Sequence, residues 1–118
     1  MRGVLAPEVQ EIIRGTIQGP DPGKIWISTD GIPPWVRKYA SAENPKSVTI
    51  IYSIWFKPDH YNWRNLFHEI KHCEQFYIYR EDFIDVYSKA VMLSGYEDSK
   101  FEQQAQDYAD KMIERVKK

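Results

Sequence analysis

His68, Glu69 and His72 are the residues of this chain whose types and spacing bear most directly on chemistry. They stand in the order H-E-x-x-H, and a spacing of four on a helix brings two histidines to the same side, one turn apart. Both imidazoles can then reach one tetrahedral ion such as zinc, which leaves Glu69 free to take a proton from water activated there. A catalytic zinc keeps three protein ligands and one open position, so a third ligand must come from elsewhere in the chain.

The surroundings of the motif point two ways. On a helical wheel Leu66, Ile70, Cys73 and Tyr77 form the core face, and His68 and His72 point nearly opposite, as a solvated pair would. Phe76 and Tyr79 also lie toward the histidine side, which fits a helix placed between a core and a substrate cleft. Among possible third ligands, Cys73 and Glu74 point away around the helix axis, and His60 would have to fold back over the helix start. Glu102 lies at the inward margin of the last helix's apolar stripe, beside Ala109 and Ile113. Ser99 to Glu102 also spells a capping box, in which the glutamate bonds back to the helix start, and both readings stand at this level.

The elements that must position these residues follow from pattern. Pro7 to Arg14 reads as a short helix that Gly15 ends, and 19–23, with two prolines and two glycines, reads as a loop. Lys24 to Ser28 is expected to be a strand, Asp30-Gly31 a turn, and Trp35 to Ser41 a short helix. Ser47 to Phe56 reads as one continuous strand, with Val48, Ile50, Tyr52, Ile54 and Phe56 on its core face. Three helices should follow, at Asn62 to Tyr79, Glu81 to Ser94, and Ser99 to near the C-terminus. The last carries a stripe of Phe101, Ala105, Tyr108, Met112 and Val116. The expected class is α+β, strands first and helices second, in a single domain over 1–118.

Composition bounds the function. A chain of 118 residues has room for one modest core, and 42% hydrophobic with 14% aromatic residues speaks for a packed fold. Sixteen basic and seventeen acidic residues leave a net charge of −1, so no basic field is on offer to nucleic acid. The longest apolar run, Val48 to Phe56, is too short for a membrane span. Met1 to Ile13 is interrupted by Pro7, Glu8, Gln10 and Glu11, unlike a signal peptide, and the single Cys73 fits a reducing compartment; the expected location is cytoplasmic.

His68 to His72, followed about thirty residues later by Gly95-Tyr96-Glu97-Asp98-Ser99-Lys100-Phe101-Glu102, resembles the gluzincins, zinc peptidases with two histidines and a glutamate as ligands. The likeness is nearest to their short, stand-alone members, the minigluzincins. It covers about Pro33 to Lys111 and includes the helix pattern Leu66-Phe67-His68-Glu69-x-x-His72-x-Glu74-Gln75. Lys100 stands where the group carries proline before Phe101, and Gln104 and Gln106 stand where an acidic or aromatic residue is common.

The resemblance implies a small zincin-like domain in which a short β-sheet packs against an active-site helix and a C-terminal glutamate helix. It implies Zn2+ held by His68, His72 and Glu102, with Glu69 as general base and acid and the strand from Ser47 as the rim for an extended peptide or protein substrate. Tyr96 is the residue expected to stabilise the oxyanion, with Tyr87 a weaker choice. The alternative is a non-enzymatic zinc-binding module for peptides, which would need nothing of Glu69. So small a domain also invites latency, with one terminus lying across the zinc site: the N-terminal segment 1–23 in preference, the tail after Lys111 as the alternative.

Overall fold

Apolar residues from strand alternation and from helix stripes meet in a main cluster, and that meeting fixes the architecture. The computed structural model describes residues 1–40 and 44–117. Strands β1 (Arg2–Val4), β2 (Trp26–Ser28), β3 (Ser47–Ile50) and β4 (Ser53–Phe56) form one mixed sheet in the order β1-β2-β4-β3. β1 and β2 are antiparallel, β2 and β4 parallel, and β4 and β3 antiparallel, with Gly3 opposite Ile27, Ile27 opposite Ile54 and Ile54 opposite Thr49. The helices are α1 (Pro7–Ile13), α2 (Pro34–Arg37), α3 (Trp63–Tyr79), α4 (Phe83–Ser94) and α5 (Lys100–Lys117). The fold is α+β, as the patterning predicts. No helix among the described residues is long and apolar enough to cross a membrane.

The main core joins Ile27, Ile54 and Phe56 of the sheet to Leu66, Phe67, Ile70 and Cys73 of α3 and to Tyr108, Ala109 and Met112 of α5. Phe101, Ala105, Tyr108 and Met112 are buried as the stripe on α5 requires, and Val116 packs at its margin. A smaller aromatic cluster of Phe76, Phe83 and Phe101 ties α4 to α3 and α5. Tyr77 departs from its expected core position: it is 36% exposed, and its ring lies where a side chain at Gly19 would stand.

The stretch from Ser47 to Phe56 is not one strand but a hairpin. It turns at Ile51-Tyr52, with Ile51 in the left-handed region at φ 58°. The turn changes the parity of the alternation. Ile54 and Phe56 enter the main core, whereas Val48 lies on the other side of the sheet with Ile32 and Val36. Ser47 and Thr49, opposite Phe56 and Ile54, consequently share the face toward α3. The remaining boundaries shift by a few residues. β2 starts at Trp26, α2 spans Pro34–Arg37 with Ser41 outside the described residues, and a tight turn over Arg80–Asp82 precedes α4.

The N-terminal segment expected to swing over the site packs into the body of the fold. Leu5, Val9 and Ile13 are buried in the main core, β1 pairs with β2, and the Gln18 N–H donates to the Glu74 carboxylate at 2.7 Å. α4 is held far less firmly. Phe83 is its one buried residue among those described, Met92 and Leu93 are 85% and 87% exposed, and its ends lie between Arg80 at φ 53° and Gly95 at φ 85°.

Candidate metal centre

α3 begins at Asn62, whose side chain accepts from the Asn65 N–H at 2.9 Å and so fixes where the helix phase starts. With Leu66, Ile70 and Cys73 turned into the core, the same phase sets His68 and His72 side by side, ring centroids 5.0 Å apart. They are not a solvated pair. His72 is buried, and the His68 side chain is only 19% exposed.

Glu102 lies in the first turn of α5 and is 1% exposed. The Ser99 hydroxyl accepts from the Glu102 N–H at 3.3 Å, which is half of a capping box. The other half is missing, because the Ser99 N–H donates to the Tyr96 carbonyl. The carboxylate turns instead to the histidines, with Oε1 2.9 Å from His68 Nε2 and Oε2 3.1 Å from His72 Nε2. Tyr87 adds a hydrogen bond to Oε2 at 2.6 Å.

Glu69 is placed differently. Its Oε1 accepts from the Thr49 hydroxyl at 2.7 Å and its Oε2 from the Ser47 hydroxyl at 2.9 Å, so β3 holds both oxygens. Ligand atoms of His68, Glu69 and His72 lie within 4.8 Å of one another, a grouping that could hold a metal ion. The donor set fits zinc. Ligands about 2.0–2.1 Å from a tetrahedral ion lie about 3.3 Å from each other, close to the separations between Glu102 and the two Nε2 atoms.

The charges are mutually supporting. Burial opposes a proton on His72, but the hydrogen bond and charge of Glu102, the charge of Glu69 and the bond to Gln75 outweigh it and hold the imidazolium up to about pH 9. Burial likewise opposes charge on Glu102, yet bonds from His68 and His72, the charge on His72 and the Tyr87 hydroxyl hold its carboxyl well below the usual range. Behind His72 stands Gln75. His72 Nδ1–H donates to Gln75 Oε1 at 2.8 Å, while Gln75 Nε2 donates to the Phe101 carbonyl and to Gln104 Oε1. This relay orients the ring so that Nε2 faces Glu102.

A cleft of about 100 Å3 opens onto the cluster, lined by Glu69, His72 and Glu102 together with β3, Tyr87 and Tyr96. Burial, with the negative charges of Glu102 and Glu69, pushes the Tyr96 phenol far up, so it keeps its proton as a hydrogen-bond donor. No described residue of 1–23 or of the C-terminal turn of α5 lines this cleft.

The chain matches no protein-family model, no curated protein and no solved structure. Function must be read from the chemistry of the site itself. The structure gathers Glu69, His72, Glu102 and Tyr96 at one cleft, with His68 joined to them through Glu102, and leaves His60 outside it, its carbonyl accepting from Asn65 Nδ2. Sequence reasoning missed Ser47, Thr49 and Gln75. Gln75 was open to inference from its place one turn beyond His72, whereas the two hydroxyls depended on the strand register that the hairpin sets.

Proposed function

We propose that this protein is a zinc-dependent peptidase of gluzincin type, with His68, His72 and Glu102 as ligands and Glu69 as general base and acid. The observation that carries this reading is the division of labour between the two buried carboxylates. Glu102 addresses both Nε2 atoms, while Glu69, also on α3, lines the cleft with its carboxylate held by the β3 hydroxyls. Zinc held there would supply Lewis acidity, lowering the pKa of water and polarising a carbonyl.

The chain's own residues do the rest. His72, oriented by Gln75, and His68 keep their Nε2 atoms turned to the Glu102 carboxylate, which supplies a negative charge between them. Glu69 takes the proton of the attacking water and passes it to the leaving amine. Tyr96, protonated and on the cleft wall, would turn from Glu102 to donate to the developing oxyanion. The rim for an extended peptide is the edge strand Ser47–Ile50, since β4 is enclosed between β2 and β3. The zincin-like architecture and the minigluzincin kinship belong to this same proposal.

The test is metal analysis of purified protein followed by digestion of a peptide library with and without chelator. One zinc per chain and chelator-sensitive cleavage are expected. The narrow cleft favours a second reading, a zinc-held module that binds peptides without cutting them. On that reading Glu69→Ala leaves zinc and peptide affinity unchanged, and neither it nor the wild type cleaves peptide.

A further inference from the structure

Ser47 and Thr49 stand two apart on β3, so their side chains project to the same face, and both hydroxyls donate to Glu69. Their main-chain groups have a separate destination. The Lys57 N–H donates to the Lys46 carbonyl at 3.0 Å, and the Phe56 carbonyl accepts from Gly31 on the far side of β4. Hydrogen-bonded and non-hydrogen-bonded pairs alternate along an antiparallel ladder, so the pair Ser47–Phe56 is of the second kind, and Thr49–Ile54 after it. Ser47 and Thr49 therefore aim their N–H and C=O groups at the outer edge of β3, where no strand follows among the described residues.

We propose that Ser47 and Thr49 are positioning residues that couple the two events of the reaction: they bind the substrate's main chain at the strand edge and hold Glu69 with their side chains. The inference rests on the peptidase reading and deepens it. The group that moves the proton is tied not to its own helix alone but to the two residues that dock the peptide. An extended peptide pairing with β3 fixes the register of Ser47 and Thr49, and through their hydroxyls the carboxylate of Glu69. Binding energy from the peptide backbone, remote from the scissile bond, is thereby used to place the base. Thr49 bonds Oε1 and Ser47 bonds Oε2, so Glu69 can give up one hydroxyl when it accepts the water's proton and stay anchored by the other.

The experiment compares the wild type with Thr49→Val, Ser47→Ala/Thr49→Val and Thr49→Ser, all zinc-loaded, using one extended peptide in cleavable and reduced-amide forms. The single variant keeps the Ser47 hydroxyl and serves if the double variant does not fold. Three quantities are read: kcat on the cleavable peptide, affinity for the uncleavable one by calorimetry, and zinc affinity. The main chain that docks the peptide is untouched, so peptide and zinc affinities should hold while kcat falls about 10- to 100-fold, and Thr49→Ser should restore it. An unchanged kcat in both valine variants overturns the clamp alone. Loss of peptide or zinc affinity in step with kcat also overturns it, since the hydroxyls would then merely hold the fold. A wild type that binds zinc but cuts no peptide overturns the peptidase reading and the clamp with it.

Discussion

Replacing Glu102 by alanine tests the site at the point where two roles for that residue diverge. The side chain is buried, and its two oxygens meet His68, His72 and the Tyr87 hydroxyl at 2.9, 3.1 and 2.6 Å. In the metal-free protein its removal strands the charge on His72, and breaking a buried pair from one side costs about 3–5 kcal/mol. That is a large share of the roughly 5–15 kcal/mol that holds a domain together, so the variant should unfold at markedly lower denaturant than wild type. For the metal the comparison is with groups one step further out: losing a partner behind a ligand costs about 10- to 100-fold in affinity. Losing a ligand should exceed that, more than about 100-fold or about 2.8 kcal/mol. A competition titration against a chromophoric zinc chelator measures the second quantity, and urea unfolding of chelated protein measures the first. A destabilised variant that binds zinc as tightly as wild type would refute the ligand assignment and leave Glu102 as the counter-charge of a histidine pair.

Other substitutions probe neighbouring parts of the same reasoning. Glu69→Ala should keep its zinc and lose about 100- to 10,000-fold in peptide cleavage, measured as kcat beside the metal content of the same sample. Gln75→Ala frees the His72 ring and should weaken zinc binding by about 10- to 100-fold in the same chelator competition. Ile51→Gly removes a β-branched residue from φ 58° at an exposed turn and should raise stability by about 1 kcal/mol, seen as a higher urea midpoint. Cutting the chain near Asp21 removes Leu5, Val9 and Ile13 from the core, each worth about 1.5–3 kcal/mol of burial. That truncation should abolish cooperative melting instead of raising peptide cleavage.

The helices were legible because their signals are local. Asn62 caps α3, Gly95 follows α4, and the α5 stripe repeats at helical spacing, so element type and phase could be read directly. The hairpin was not legible. Its turn is Ile51-Tyr52, two residues of high strand propensity, and nothing of the glycine, asparagine or aspartate kind marks a reversal there. Tertiary packing overrode the local signal, and with it went the parity that brings Ser47 and Thr49 to Glu69. β1 was equally hidden, being three residues long and defined only by its pairing with β2. At the site the histidine spacing located α3's contribution, but the direction of Glu102 was undetermined, because Ser99-x-x-Glu102 caps a helix in either case. Only the position of α3 across from that helix start decides where the carboxylate goes.

α4 is lightly anchored in the folded state. It contributes one buried side chain, meets the rest of the chain through an aromatic cluster, and is bounded by two residues of positive φ. Hydrogen exchange along the chain should reveal it as an independently opening unit, since a segment so lightly anchored comes loose at a lower free energy than the whole domain. Tyr87 leaves Glu102 in that opening, while α3 and α5 remain packed on one another through Cys73, Ala109 and Met112. On the proposed zinc reading, the fold would separate retention of the ion from admission to it. Opening of this segment would then widen the approach to the cleft that Phe83 and Tyr87 help to line, while the residues proposed to hold the ion stay in place on α3 and α5.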